Sequence, residues 1–256
     1  MNGMIPPSFH LAGFFGSVAA SQTDIALTPF SDGYLSQGVS GLLLPDDMMV
    51  ARHIGLGLGL TQYLLNVPSL RQISQPRYGT VNKALLAVDD APILIMGDYA
   101  PSIMRSEGYN YQVTTDATAG PNATHVFSFL TKGFKPCQRG RSTTIRATAT
   151  ITAVAGAWVN GGLTLAQDLP AGNYEIIGAA AYGTGLQAVR FRLPGAGYAP
   201  GIIAEQAPGE FFLNNQRWGQ MGSFGSFQNS LVPTIDITGT AGAITITMFI
   251  DIVKVG

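Results

Sequence analysis

Few residues in this chain have the type and spacing for chemistry, and none of them makes a catalytic set. The three histidines, His10, His53 and His125, stand too far apart in sequence to form a shared metal motif. His125 also falls inside a predicted strand, where a hydrogen-bonded core imidazole is the expected use. The single cysteine, Cys137, excludes an internal disulfide and a multi-cysteine zinc site. Gly222-Ser223-Phe224-Gly225 lacks the spacing of a nucleophile elbow and reads as a flexible loop. Gly55-Leu56-Gly57-Leu58-Gly59 has the glycines of a phosphate cradle but neither its lysine nor a following helix, so close strand packing is expected there. Asn122-Ala123-Thr124 is a glycosylation sequon that reads as a turn. The acid pairs Asp46–Asp47 and Asp89–Asp90 lie beside Pro45 and Pro92. Such pairs supply oxygen ligands to structural Ca2+ in some proteins, but a polar turn is their plainer use. No catalytic, cofactor-binding or metal-binding residue is assigned, and the chain reads as a non-enzyme.

Charge supplies the one cluster that stands out. Lys132, Lys135, Arg139 and Arg141 place four of the fourteen basic residues within ten positions, Arg146 follows, and no Asp or Glu occurs from Ala117 to Gln167. A solvated linker is the plain reading. The functional one is a surface facing the phosphates of a genome or of lipid headgroups, reached by non-specific electrostatics.

The rest of the composition points to burial between subunits. Hydrophobic residues make up 46% of the 256 and charged residues 11%, with a net charge of −1; ordinary soluble domains carry roughly 25% charged residues. So little charge leaves a surface either rich in Thr, Ser, Asn and Gln or covered by partners, and each chain is expected to bury well over the ~800 Å² per partner of a standard interface. No apolar run approaches the roughly 18–20 residues of a membrane span; Ile54–Leu65 is short and broken by glycines. Met1–Ala20 lacks a basic leader and is interrupted by Pro6 and Pro7, so it is expected to belong to the folded chain and not to a cleaved signal.

An internal repeat organises the sequence. Shifted by 126, Gly57, Gly59, Leu60 and Pro68 fall on Gly183, Gly185, Leu186 and Pro194. At 125, Ser17–Leu27 lies over Ser142–Thr152 and Leu44–Pro45 over Leu169–Pro170. At 120, Asp116–Phe129 lies over Asp236–Phe249 and matches Phe129 to Phe249. A period of this length is one compact domain, which predicts domains at 1–133 and 134–256 with the boundary in Thr131–Arg141.

The repeated blocks have strand periodicity. Ile145, Ala147, Ala149, Ile151 and Ala153 alternate with Thr144, Arg146, Thr148, Thr150 and Thr152, the signature of a sheet with one buried face. Ile244, Ile246, Met248 and Ile250 alternate likewise with Thr245 and Thr247. Tyr174–Ile177 and Ala188–Leu193 are further short runs bounded by Gly and Pro, and 32 Gly with 15 Pro predict frequent turns. Short helices are expected only around Ser102–Glu107 and Ile202–Gln206. The fold class is all-β: two tandem antiparallel β-sandwiches related by duplication.

With duplicated sandwich halves across nearly the whole chain, and Asn173–Leu193 followed by a loop and the terminal strand Ile244–Val253, the sequence resembles the double jelly-roll major capsid proteins of tailless, membrane-containing bacterial viruses. The resemblance implies two jelly rolls per chain and no catalytic residues. It also implies a homotrimeric, pseudo-hexagonal capsomer within an icosahedral virion assembled in the host cytoplasm, with other virion proteins and an inner membrane or genome as neighbours. The competing expectation is a tandem carbohydrate-binding or adhesin module using Tyr198, Phe211, Phe212 and Trp218 as an aromatic platform.

Overall fold

The computed structural model describes residues 4–72, 77–79, 81–82, 94–95, 100–117, 122–133, 135–204 and 222–255. The chain divides into two compact units, Ala12–Lys132 and a second made of Gly133–Gly256 with Met1–Leu11. The N-terminal segment joins the second unit through its backbone and polar side chains. Ser8 N donates to Ser223 O, Leu11 N to Ala199 O and Ile5 N to Ser226 Oγ.

Strands account for nearly all regular structure. They run β1 (Phe9–Val18), β2 (Ile25–Ala26), β3 (Thr28–Pro29), β4 (Ser36–Gly38), β5 (Gly41–Leu43), β6 (Met48–Gly57) and β7 (Leu60–Asn66), with a 3-10 turn at Pro68–Gln72. There follow β8 (Arg77–Gly79), β9 (Val81–Asn82), β10 (Leu94–Ile95), β11 (Ser102–Ile103), β12 (Gly108–Thr115) and β13 (Asn122–Thr131). The second unit holds β14 (Ser142–Ala153), β15 (Val159–Gly161), β16 (Thr164–Leu165), β17 (Asn173–Tyr182), β18 (Leu186–Arg192), β19 (Gly201–Ile203), β20 (Ser226–Gln228), β21 (Thr234–Gly239) and β22 (Gly242–Lys254). Of β1, Phe9–Leu11 group with the second unit and Ala12–Val18 with the first.

Each unit is a jelly roll by its own strand order. One sheet of the first unit runs β10-β6-β13-β1 and the other β5-β12-β7-β8; the second unit has β20-β17-β22-β14 and β19-β18-β21-β15. Taking eight main strands per unit in chain order, both units place the first, eighth, third and sixth in one sheet and the second, seventh, fourth and fifth in the other. That interleaving is two Greek keys wound into a double-sheet sandwich. The remaining short strands are additions at the edges or, like β9 on β6, local pairings.

The duplication extends to irregularities. In the pairing of β6 with β13 the register skips Ala51, and in β17 with β22 it skips Ile177. In β7 with β12 it skips Thr61, and in β18 with β21 it skips Gln187. Both pairs of bulges lie at the 126-residue shift read from the glycines, and bulges re-aim side chains in ways that a random strand pair would not share. Between these bulges the hairpins Gly57-Leu58-Gly59 and Gly183-Thr184-Gly185 turn alike: Gly59 has φ 76° and Gly185 φ 84°, conformations that favour glycine. Asp116 N donates to Gly59 O and Thr240 N to Gly185 O.

Two other blocks of the repeat are in a different register from the one expected. The counterpart of β14 by strand order is β1, so Ser142–Thr152 corresponds to the region of Phe9–Val18 and not to Ser17–Leu27. Phe127 pairs with Ile54 and Phe249 with Ala180, which makes Phe127 the equivalent of Phe249 in place of Phe129. Asp236 opposite Arg190 corresponds to Gln112 opposite Leu64, not to Asp116. Insertions in the loops shift the offset from strand to strand, and Thr- and Ala-rich strands match one another at several shifts.

Local expectations also changed. Ser102–Ile103 and Gly201–Ile203 are strands, because each has an edge to pair with, on β6 and β18 respectively. Asn122-Ala123-Thr124 begins β13 and is not a turn; Thr124 is buried. Gly222–Gly225 is not a loose loop: Phe224 is buried against Phe9 and Phe191, with ring centroids 5.0 and 5.9 Å away, and its backbone bonds to Ile176. The alternation in β14 holds, with Ile145, Ala147, Ile151 and Ala153 buried opposite Ile250, Met248, Ile244 and Gly242.

Candidate functional site

The four basic residues singled out in the sequence occupy separate settings. Lys132 follows β13, half-exposed, with its ammonium paired to the Asp46 carboxylate of its own unit. An acid distant in sequence thus partly cancels a charge in the acid-free stretch. Lys135 is half-buried, and its carbonyl accepts a hydrogen bond from Ser223 N at 2.9 Å. Arg139 and Arg141 are exposed. The backbone just before Arg139 is anchored by Glu175, a buried carboxylate on β17 whose Oε2 accepts from Gln138 N at 2.9 Å. Cys137 beside it is half-buried, and burial together with the Glu175 charge pushes its thiol upward, away from nucleophilic use.

The other polar residues serve the fold. Asp47 Oδ1 accepts from Arg105 N at 2.6 Å, so one acid of that pair closes a loop while Asp46 holds Lys132. Asp89–Asp90 lie outside the described residues. His10 Nδ1 accepts from Ala199 N at 3.0 Å. His53 sits between Tyr63 and Tyr111, 3.4 Å from the Tyr111 hydroxyl, and His125 stacks on Phe127 with the rings 7° from parallel. Burial pushes both imidazoles down to about 4, keeping them neutral. Arg52 on β6 is wholly buried, and desolvation pulls its guanidinium down to about 10. Tyr198 packs its ring against His10 and is half-buried, while Phe211, Phe212 and Trp218 lie outside the described residues. Among the described residues no group of three or more His, Cys, Asp or Glu could hold a metal ion, and no helix is long and apolar enough to cross a membrane.

Sequence reasoning missed a buried polar network. On the β15-β21-β18 sheet of the second unit, Asp236 Oδ2 accepts from Arg190 Nε at 2.9 Å and Oδ1 from Asn160 Nδ2 at 3.0 Å, with Arg192 Nη1 at 3.6 Å. The Arg190 guanidinium lies 4.5 Å over the Trp158 ring. A signal was present: Arg190 and Arg192 interrupt the otherwise apolar run Ala188–Leu193, and Asp236 interrupts the β-branched run Thr234–Thr238. Their pairing across strands needs the register, which neither segment reveals alone. The group ties β15, β21 and β18 together by side-chain bonds, with no nucleophile among its members.

Two broad sheet faces remain open. On the outer side of β14 and β22, Thr144, Arg146, Thr150, Thr152 and Thr245 are exposed, with Thr148 and Phe249 partly so. On the outer side of β7 and β12, Gln62, Asn66, Asn110, Gln112 and Thr114 are partly exposed. Neither face has a nucleophile, base and pocket in one place. The first face also carries Phe249 opposite Arg146 and the buried Asp251 opposite Thr144, and the second includes the buried Leu64 opposite Gln112, so both mix hydrogen-bonding and apolar groups.

No family model matches the sequence, and no curated protein does. Among solved structures the chain is similar to the major capsid protein P2 from Bacteriophage PM2, with 10% identity and a TM-score of 0.25 over 97% of this chain and 98% of that one. It is also similar to the STIV MCP, with 6% identity and a TM-score of 0.22 over 96% and 97% of the two chains. Both likenesses are distant, and the jelly-roll assignment rests on this chain's own strand order.

Proposed function

We propose that this chain is a structural shell subunit, a major capsid protein that self-assembles into trimeric, pseudo-hexagonal capsomers of an icosahedral virion. One observation carries the reading: a single chain repeats the same jelly-roll strand order twice, down to equivalent bulges at Ala51 and Ile177 and at Thr61 and Gln187. Two similar sandwiches in one chain supply pseudo-equivalent sides, so three chains approximate six-fold packing. Jelly rolls also serve as lectin and enzyme-like domains, and fold alone does not select among these uses. The scarcity of charge adds to the shell reading, because a chain with 29 acidic and basic residues in 256 gains from covering its surface with copies of itself.

The chain acts in this reading as a non-enzyme located in the virion and assembled in the host cytoplasm, beside other virion proteins. Lys135, Arg139 and Arg141, with Lys132 as a weaker contributor, would meet a genome or an inner membrane by non-specific attraction. The test is the oligomeric state of purified protein by light scattering, with negative-stain imaging of the same sample. Trimers or closed particles are expected. A chain that stays monomeric at every concentration, and under conditions that favour assembly, would overturn the proposal.

A further inference from the structure

We propose that the first unit carries a binding cleft for one neutral sugar ring, built where an insertion in that jelly roll meets two of its loops. The inference goes beyond the shell-subunit reading and does not depend on it.

The cleft exists because the two halves of the repeat differ at one connection. Residues 154–158 join β14 to β15 in the second unit, whereas residues 19–40 lie between the equivalent strands β1 and β5 in the first. That insertion holds β2, β3 and β4 and supplies Tyr34 and Ser36. The second unit completes the same strand order without it, and loops added to a rigid scaffold are where binding residues concentrate. Tyr34, Ser36, Leu43, Leu44, Pro45 and Ser106 line a cleft of about 220 Å³, all within the first unit. Ser36 lies directly opposite Leu43 in the β4–β5 pairing, so both project from one face.

Both walls are fixed by side-chain bonds to the backbone. Asp32 Oδ1 accepts from Tyr34 N at 2.9 Å and from Leu35 N at 3.3 Å, and Gln37 Nε2 donates to Phe30 O at 3.1 Å, which closes the inserted loop on itself. On the other side Ser106 N donates to Leu44 O, Arg105 N to Asp47 Oδ1 and Met104 N to Glu107 Oε2. These bonds hold Ser106 at φ 62°, an uncommon backbone for serine, and such held residues gather at ligand clamps. A cleft shaped in advance loses little entropy when a ligand enters.

The lining selects the ligand. None of its residues is charged, and the carboxylates of Asp32, Asp47 and Glu107 are engaged by backbone N–H groups, so an ionic ligand would find no opposite charge in the lining. The hydroxyls of Ser36 and Ser106 make no hydrogen bond to the described residues, and each can both donate and accept. Tyr34 adds an aromatic ring, and Leu43, Leu44 and Pro45 add apolar surface. A neutral pyranose has the matching mixed character: a C–H face that packs on an aromatic ring and a rim of hydroxyls that exchange hydrogen bonds. At ~30 Å³ per water the cleft holds roughly seven waters, the bulk of one such ring, so a single sugar unit fits and a buried oligosaccharide does not.

The test is saturation-transfer NMR of the full chain with methyl glycosides of neutral hexoses and N-acetylhexosamines, and with the matching uronic acids. Transfer to a neutral glycoside is expected, with a Kd on the order of 1 mM for a single ring. Ser106→Gly deletes one hydroxyl and suits the positive φ, so the chain should melt no lower while binding weakens about 10-fold. Tyr34→Leu should also weaken binding about 10-fold, with the melt as the check that the loop still folds. No transfer to any glycoside at the highest soluble concentration would overturn the inference. Binding unchanged in either variant would place the sugar elsewhere and overturn it too, and tighter binding of uronic acids than of their neutral counterparts would overturn the ligand class. None of these readouts depends on oligomers, so the shell reading stands or falls by its own test.

Discussion

Arg190 Nε donates to Asp236 Oδ2 at 2.9 Å, with both side chains almost wholly removed from solvent. The two residues sit directly opposite one another on β18 and β21, so their bond spans the centre of a sheet. Taking such a pair out of water costs nearly as much as its attraction returns, whereas removing one member leaves an unmatched buried charge. Asp236→Ala should therefore destabilise the fold by about 3–5 kcal/mol in urea denaturation, and Arg190→Met with Asp236→Leu should recover most of that loss. Equal losses in the single and double variants would mean that the pair holds the sheet by attraction and not by mutual neutralisation.

The two glycine hairpins should respond alike to substitution. Gly59 and Gly185 adopt positive φ, where a Cβ costs roughly 1–2 kcal/mol. Gly185→Ala carries a further penalty, because the new methyl would overlap Thr240 Oγ1. Thermal melts should fall in both variants, and Thr240→Ala in the Gly185→Ala background should recover the part of the loss due to the overlap while leaving the part due to the positive φ.

Acid should loosen the first unit. His53 and His125 have folded values near 4 against an unfolded value near 6.5, so the unfolded chain binds more protons between those limits. The stability is fully present above pH 6.5 and is lost as the pH falls toward 4, by about 3 kcal/mol for each imidazole. Denaturation midpoints measured from pH 7 to pH 4 should fall across that window. His53→Gln with His125→Phe should flatten the profile, and an unchanged slope would assign the acid sensitivity to carboxylates.

The basic segment should be unequal in its parts. Lys132 is already paired with Asp46, so Lys132→Gln should barely alter binding to anionic vesicles or single-stranded nucleic acid, whereas Asp46→Asn should strengthen it. Arg139→Gln with Arg141→Gln should weaken low-salt binding by about 1 kcal/mol per charge, and the difference should vanish at high salt as screening sets in. Co-sedimentation across a salt series reads both effects; loss of oligomers with unchanged co-sedimentation would instead make these arginines contacts between copies.

Much of the fold was legible in local pattern. The alternation from Thr144 to Ala153 identified a half-buried strand because side chains on a strand point to opposite faces in turn. The glycines at 57, 59, 183 and 185 located two equivalent hairpins, because the positive φ at Gly59 and Gly185 favours that residue type wherever the turn recurs. The helices expected near Ser102 and Ile202 failed for a different reason: a few residues have no committed conformation until an edge such as β6 or β18 offers hydrogen bonds.

The sequence by itself therefore determined the all-β class, the doubling and the poverty of charge, since each is written in composition or in spacing along the chain. Only the tertiary structure decided which strand lies beside which and which residue faces which. Register is a relation between segments far apart, and a shift of one residue moves every side chain to the other face. That is why Asp46 could neutralise Lys132 inside a stretch that lacks acids in sequence. It is also why Asp236 proved to be the partner of Arg190 and the equivalent of Gln112, and why the threonines of β14 came to face outward together with Thr245 of β22.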